Sequence, residues 1–192
     1  KKVYLSKHVN HCNCADAKKN KIVFLSSILW ENEINKISTQ VESILDFVKK
    51  ILVKNPNINQ LHIKHHPMEN DLKIEKINNT IKEKFKNIID VSFLDKYESS
   101  ENSACDYSLA FGMVSSILVD FANACINLKV YCLESLSKKE FDYNFYLKLL
   151  NERIIFLDDN NNINNNAAMY KQLTDKIDKK NFPDLIKDLS MQ

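Results

Sequence analysis

Short apolar runs alternate with longer amphipathic stretches along most of the chain. The runs with the length and residue types of buried strands are 21–27, 60–66, 87–93, 106–112, 129–134 and 153–158. The stretches with apolar residues at helical spacing are 33–54, 70–86, 115–125, 141–152 and 167–178. This alternation predicts the α/β class, as a single Rossmann-like domain whose mostly parallel sheet of five to six strands is flanked by helices.

The same pattern predicts the domain boundaries. Residues 21–178 form the predicted domain, residues 1–20 a linker or packing arm, and residues 179–192 a carboxy-terminal tail or helix. No linker divides the predicted strands into two sets. The run of aspartate and asparagine at 158–166 is low in complexity, and we expect a polar loop there.

Composition excludes some classes of function. The chain has 192 residues, 44% of them hydrophobic, which suits one well-buried domain. Its net charge of +2, with acids interleaved among the lysines, leaves no basic stripe for nucleic acid. No apolar run approaches the roughly 20 residues that cross a bilayer. The start at Lys1 and Lys2 resembles neither a signal peptide nor an initiator end, so we expect a fragment or a trimmed chain.

The cysteines favour a reducing compartment. There are five, an odd number, and three of them stand in apolar surroundings where free thiols pack as small hydrophobic groups. We therefore expect a cytoplasmic location. For the full-length protein, peripheral association with the inner face of the cytoplasmic membrane stays open.

Three histidines surround the end of the second predicted strand, in the stretch QLHIKHHPMEN. Pro67 favours an extended conformation at His66 and stops the strand. Because side chains alternate along a strand, His62, Lys64 and His66 share one face and His65 takes the other. Ligands of open parallel sheets bind beyond the carboxyl ends of the strands, so His66, with Lys64 and Pro67 beside it, is a candidate binding group.

The stretch FGMVSS is the second candidate segment. Gly112, the chain's only glycine, ends the fourth predicted strand, and Ser115 and Ser116 open a helix. Free N–H groups, the helix dipole and two hydroxyls together form an anion site, and the glycine allows a phosphate to approach closely. A phosphate held there also accepts a hydrogen bond or proton from His66, because histidine is suited to proton donation near neutrality.

Each segment also has a simpler structural explanation. Ser115 and Ser116 are good N-cap residues for the helix that they open. A His-Pro dipeptide is frequent in ordinary turns. The joint placement of the two segments, with the single glycine between strand and serines, favours a shared phosphate site.

Together, LHIKHHP and the later CDYSLAFGMVSSILVDFANACINLKVYCLE resemble the His-Pro and Ser-Ser motifs of bacterial sialyltransferases of the two-Rossmann-domain (GT-B) type. These are the lipooligosaccharide sialyltransferases and polysialyltransferases, and the match covers about residues 60 to 134. The resemblance implies the carboxy-terminal, donor-binding half of a GT-B fold, which binds CMP-sialic acid. It implies that His66 supports the CMP phosphate as it leaves and that Ser115 and Ser116 bind the same phosphate.

The family also uses an acidic residue upstream of the serines to hold the ribose hydroxyls. Glu98 and Glu101 both fit, and the sequence does not separate them; Glu134 is a weaker candidate. Asp95 followed by Glu98 is also a capping-box pattern. The family's general base lies in an acidic-acidic-glycine motif of the amino-terminal domain, and this chain has no such triplet. We therefore expect the domain that binds the glycan acceptor to be absent from it.

Two further clusters have weaker support. His8, His11, Cys12 and Cys14 are ligand types that zinc favours, but their spacing lacks a second pair elsewhere in the chain. A group of aromatic residues at helical spacing is more often core than a base-stacking surface; its members are Phe141, Tyr143, Phe145 and Tyr146. With no Asp-rich motif near the proposed site, we expect no metal and no cofactor.

The resemblance implies an inverting glycosyl transfer of sialic acid to a cell-surface glycan, through an oxocarbenium-like transition state. Two alternatives keep the fold and change the donor. Polyol-phosphate polymerases that use CDP-glycerol and capsule Kdo transferases resemble the same Lys-x-His-Pro and Ser-Ser arrangement. A third alternative is a non-catalytic nucleotide-binding module.

Overall fold

A six-stranded parallel sheet forms the centre of the computed structural model. The structure describes residues 19–27, 34–98, 101–113, 115–125, 127–133 and 154–157. The strands are β1 (Lys21–Leu25), β2 (Gln60–Lys64), β3 (Asp90–Phe93), β4 (Leu109–Gly112), β5 (Lys129–Leu133) and β6 (Ile154–Leu157). Their order is β3-β2-β1-β4-β5-β6, and every neighbouring pair is parallel. The predicted α/β class with a parallel sheet is confirmed.

Helices flank this sheet on both faces. They are α1 (Ile34–Lys54), α2 (Asp71–Phe85), α3 (Ile117–Ala124) and a 3-10 helix (Glu101–Asp106). Residues of α1 and α2 pack in one core cluster, and residues of α3 and the 3-10 helix pack in a second cluster. Among the helices that the structure describes, none is both long and apolar enough to cross a membrane.

The apolar strands alternate between the two core clusters. In β1, Ile22 and Phe24 belong to the cluster with α1 and α2, whereas Val23 and Leu25 belong to the cluster with α3. All four residues are fully buried. Burial on both faces explains why β1 is a continuous apolar run instead of an alternating one.

The elements start and end within a few residues of their predicted bounds. The second strand was predicted to reach His66 but ends at Lys64. The reason is that the N–H of His66 donates to the Ser26 hydroxyl, at 3.1 Å, and not to a backbone carbonyl of a neighbouring strand. The fourth strand begins at Leu109 because the residues before it form the 3-10 helix.

The expectation that the apolar cysteines are free thiols is wrong for two of them. Cys105 and Cys125 are each disulfide-bonded. Cys132, buried in β5, is the free cysteine among the described residues. Disulfides are typical of oxidising compartments, so these bonds weigh against the reducing compartment that the cysteine count favoured.

Several predictions concern residues outside the described part of the chain. They are the arm over 1–18, the helices at 141–152 and 167–178, the tail at 179–192, the zinc-type cluster at residues 8–14, the aromatic group at 141–146, and Glu134.

At Gly112 the backbone of β1 leaves no room for a side chain on β4. The register places it opposite Leu25. A Cβ at position 112 would lie 2.2 Å from the carbonyl oxygen of Leu25, far inside van der Waals contact. The sequence motif linked this glycine to the approach of a phosphate, but a side chain here would collide with a backbone carbonyl, so no ligand is needed to explain the glycine.

We expect Gly112→Ala to destabilise the domain. The added methyl must push β1 and β4 apart, and overpacking of this kind lowers the free energy of unfolding by about 1–3 kcal/mol. Urea denaturation measures the loss. Ser92→Ala, at an exposed position of β3, is the control and should change stability by less than about 0.5 kcal/mol. Equal midpoints for Gly112→Ala and the parent would contradict the packing argument.

Candidate functional site

The topological switch point of the sheet lies between β1 and β4. From β1 the chain proceeds to β2 and β3 on one side, and the later strands add on the other side. Connections that leave in opposite directions open a crevice at the carboxyl edge, where ligands of open parallel sheets bind. The register aligns Lys64, Leu25 and Gly112 in one row at this edge.

Both candidate segments leave this edge. The His66–Pro67 segment follows β2, and Ser115–Ser116 follow β4, with β1 between the two strands. Two strand spacings separate the backbones of β2 and β4 by about 10 Å. A phosphate group with a hydrogen bond on either side spans about 8 Å from donor to donor, a length of the same order as this separation of the strands. The strand order thus places both segments after strands that end at the same edge of the sheet.

The turn after β2 fixes the ring of His66. The N–H of Glu69 donates to the carbonyl of His66 at 3.0 Å, which closes a turn with Pro67 in second position. Within the turn, the N–H of Met68 donates to Nδ1 of His66 at 3.2 Å. Since Nδ1 accepts this bond, the neutral imidazole has its proton on Nε2. The Nε2–H of this half-buried ring forms no hydrogen bond to any described residue, and it is available as a donor.

The hydroxyls of Ser115 and Ser116 are not used in capping α3. Ser116 occupies the N-cap position with helical dihedral angles, φ −59° and ψ −26°, and its side chain makes no cap hydrogen bond. The backbone carbonyls of the two serines accept the first helical bonds, from Leu118 at 3.1 Å and Val119 at 2.9 Å. The N-cap explanation therefore does not apply to Ser116. In the described part of the chain, neither hydroxyl has a hydrogen-bond partner.

Lys64 holds the loop that follows β3. Its side chain is buried, and Nζ donates to the carbonyl oxygens of Asp95 at 3.0 Å, Lys96 at 3.4 Å and Glu98 at 2.7 Å. Burial lowers the pKa of Lys64, and the negative charges of Glu98 and Asp95 act in the opposite direction. All three ammonium protons are directed at backbone carbonyls of this loop. Lys64 therefore supports the candidate site by positioning the loop that includes Glu98.

The two candidate ribose ligands differ in their surroundings. The Asp95 side chain accepts from the N–H of Tyr97 at 2.9 Å, and the Asp95 carbonyl accepts from the N–H of Glu98 at 3.2 Å, so this segment is a turn. The capping-box interpretation of Asp95 and Glu98 is wrong, because no helix starts there. Glu98 is exposed. Glu101 begins the 3-10 helix, and only its backbone is described.

The predicted alternation of side chains along β2 is confirmed where contacts define it. His62 and Lys64 contact Tyr107 and the 95–98 loop respectively. His65 lies on the other face, with Nε2 donating to Oδ1 of Asn78 in α2 at 2.7 Å. His62 therefore packs against Tyr107, directly after the 3-10 helix. His65 lies on the opposite face from Lys64.

Two residues at this edge were missed by sequence reasoning. Ser26, directly after β1, and Glu69, at the end of the His66–Pro67 turn, are both buried. The Ser26 hydroxyl donates to Oε2 of Glu69 at 3.2 Å and accepts the N–H of His66. A serine pair directly after the most apolar strand was the available signal for Ser26; nothing in the local sequence marks Glu69 as buried.

The buried polar side chains of the described chain gather at this one edge. They are Ser26, Ser27, Lys64, His65 and Glu69. Every one of them stands at the carboxyl end of β1 or β2 or in the turn that follows. Polar burial is unfavourable without partners and is concentrated at binding sites, so its location marks this edge as the candidate site. The described residues include no group of three or more His, Cys, Asp or Glu side chains that could hold a metal ion.

Neither the protein-family models nor the curated proteins include a match to this chain. The function of this chain must therefore be inferred from its motifs and from the geometry of the site.

Lys64→Met should loosen the 95–98 loop. Methionine keeps the aliphatic stem but leaves three carbonyls without their donor, and we expect a loss of about 2 kcal/mol in the free energy of unfolding. Hydrogen exchange at the amides of Tyr97 and Glu98 should accelerate first. Lys86→Met, at an exposed position, is the matched control; equal exchange rates in the two variants would show that Lys64 does not hold the loop.

Tyr107 should make the domain sensitive to alkaline pH. Burial, followed by the charges of Asp106 and Glu98, raises the pKa of Tyr107 to about 12 from its ordinary 10.0. In the unfolded chain the phenol ionises near pH 10, so the unfolded state binds fewer protons than the folded state between about pH 10 and 12. Stability therefore falls as pH rises through this window.

The comparison of parent and Tyr107→Phe isolates this effect. Relative to the phenylalanine variant, the parent should lose about 2 kcal/mol of unfolding free energy between pH 9.5 and 11.5, measured by urea denaturation. Tyr97→Phe changes an exposed ring and should show the same pH dependence of the unfolding free energy as the parent. A parallel pH dependence in parent and Tyr107→Phe would refute the assignment.

Proposed function

We propose that this chain is the donor-nucleotide-binding domain of an inverting sialyltransferase that uses CMP-sialic acid and a cell-surface glycan acceptor. The single observation that supports it most is the pairing of β1 with both β2 and β4. The His66 turn and the Ser115–Ser116 segment follow these two strands at one sheet edge, and the separation of β2 and β4 by two strand spacings, about 10 Å, is compatible with one phosphate group between them.

The donors at this edge match the chemistry of a nucleoside monophosphate leaving group. The bond that breaks joins the anomeric carbon of the sugar to a phosphate oxygen of CMP, and the electron pair stays with the phosphate. Negative charge therefore grows on that group in the transition state. The Nε2–H of His66, the two serine hydroxyls and the N-terminus of α3 all present positive polarity to it. Because these donors are fixed before the reaction, they stabilise the second negative charge that develops on the phosphate in the transition state more than the single charge of the bound phosphodiester.

The sugar is transferred with inversion, since the acceptor hydroxyl attacks the face opposite the departing phosphate. A general base must remove the proton of that hydroxyl. In our proposal a second domain supplies this base and binds the glycan, and the present chain supplies the donor side of the reaction.

In our proposal the ribose of CMP lies near the loop that follows β3. Glu98 is the better candidate to accept hydrogen bonds from the ribose hydroxyls, because its carboxylate is exposed and its loop is held by three carbonyl contacts to Lys64. Glu101 stays a candidate. CDP-glycerol and CMP-Kdo present the same cytidine and phosphate chemistry to these residues, so they stay as alternative donors.

Calorimetric titration with CMP, CDP and UDP tests this proposal. We expect binding of CMP with preference over UDP, and a loss of about tenfold in affinity in His66→Ala and in the Ser115→Ala/Ser116→Ala double variant, because each removes charge-directed hydrogen bonds to phosphate. Ser92→Ala is the control and should bind like the parent. Preference for CDP would favour the polyol-phosphate alternative. Absence of cytidine-nucleotide binding would refute the proposal.

A further inference from the structure

A buried polar assembly lies beneath the turn that presents His66. Its members Ser26, His65 and Glu69 are 2%, 3% and 5% exposed, respectively. Buried polar groups are destabilising unless hydrogen bonds compensate them, and buried ionisable groups more so. An ordinary tight turn needs no such assembly, which raises the question of what this one does.

The Ser26 hydroxyl ties the two ends of the turn to β1. It accepts the N–H of His66 at 3.1 Å and donates to Oε2 of Glu69 at 3.2 Å. The first and last residues of the turn are already joined by the bond from the Glu69 N–H to the His66 carbonyl, at 3.0 Å. The side chain of Ser26, directly after the central strand, thus fixes the position of the whole turn. It thereby also positions the Met68 N–H, which donates to Nδ1 of His66.

The carboxyl group of Glu69 also contacts the ring of His65. Oε2 of Glu69 lies 3.4 Å from Nδ1 of His65, an ion-pair distance without hydrogen-bond geometry. The other ring nitrogen of His65 bonds Asn78, and the ring stacks on Phe93 with centroids 6.4 Å apart and planes at 8°. The His65 ring therefore cannot turn away from the carboxylate without breaking both contacts.

The assembly is only partly satisfied. Oε1 of Glu69 and Nδ1 of His65 are buried and have no hydrogen-bond partner among the residues that the structure describes. The other cations nearby do not bond this carboxylate: Nζ of Lys96 donates to the backbone carbonyl of Glu69 at 3.0 Å, and Nζ of Lys82 lies over Phe93. A buried contact between a carboxyl group and a histidine that is left partly unsatisfied contributes little net stability compared with apolar residues of the same size. Stability alone therefore does not account for Glu69.

We propose that Glu69 and Ser26 are positioning residues of the phosphate site, which hold the turn so that Nε2–H of His66 faces the ligand. Glu69 orients the Ser26 hydroxyl by accepting its hydrogen bond, and an oxygen lone pair of Ser26 then faces the N–H of His66. The identity of the ligand rests on the proposed function. The orientation of the His66 ring does not, because it follows from contacts within the free protein.

Two variants weaken these contacts with little change in core volume. Ser26→Ala deletes the hydroxyl that both ends of the turn share, so the turn loses this attachment to β1. Glu69→Gln keeps the shape of the side chain but replaces the carboxylate by a neutral amide, a weaker acceptor that no longer fixes the orientation of the Ser26 hydroxyl. In both variants the bond from Met68 to Nδ1 is expected to weaken, and the His66 ring to populate the Nδ1–H tautomer. Glu75→Gln, on the exposed face of α2, and Ser92→Ala, on β3, are the matched controls.

Long-range proton–nitrogen NMR of the histidine rings gives a readout that a purely structural role would not change. The parent and both controls should show His66 as the Nε2–H tautomer, whereas Ser26→Ala and Glu69→Gln should show mixed tautomers in the folded protein. In parallel, CMP titration of the folded variants should give an affinity about tenfold weaker than that of the parent.

The outcomes separate the two proposals. If the parent does not bind CMP but the two variants change the tautomer of His66, the proposed function fails and the positioning role stands. If both variants keep the Nε2–H tautomer and the CMP affinity of the parent, the positioning role is refuted, even if their stability has fallen. If one variant does not fold, the other decides by the same two measurements.

Discussion

The structure depends on β1 pairing in register with β2 on one side and β4 on the other. Its Leu25 lies between Lys64 and Gly112, and the carbonyl of Leu25 approaches Gly112 so closely that a Cβ would be 2.2 Å from it. This close approach fixes how far the segments beyond β2 and β4 stand from each other. The separation of β2 and β4, the strands that the proposed phosphate donors follow, is therefore set by backbone hydrogen bonds of the sheet.

The same central strand joins the apolar core to the polar edge. Over Ile22 to Leu25 it is fully buried and apolar, with helices on both faces. One residue later it supplies the Ser26 hydroxyl to the His66 turn. The buried core thus supports the chain directly before the point where the position of a donor matters. The change from apolar to polar takes place between Leu25, the last residue of β1, and Ser26.

Buried charge at this edge is divided between two tasks. Lys64 positions the loop after β3 through backbone carbonyls, and Glu69 positions the turn after β2 through Ser26. Neither residue needs to contact a ligand for the site to depend on it. In the proposed reaction the groups that meet the phosphate are the exposed or half-buried ones, namely the His66 ring and the two serines, and the fully buried groups determine where those donors stand.

The sequence by itself determined the α/β class, and it predicted the six strands and the three α-helices of the described chain to within a few residues. The reason is that burial on both faces of a parallel sheet leaves continuous apolar runs between amphipathic helices. It also identified His66 and Ser115–Ser116 as groups at strand ends. Only the tertiary structure decided that Gly112 faces a carbonyl of β1, that Lys64 is directed at the loop of Glu98, that two cysteines are oxidised, and that Ser26 and Glu69 belong to the site. Periodicity is a local property and shows which face a side chain takes, whereas these contacts join residues far apart in the chain and depend on strand order and register, which local patterns do not encode.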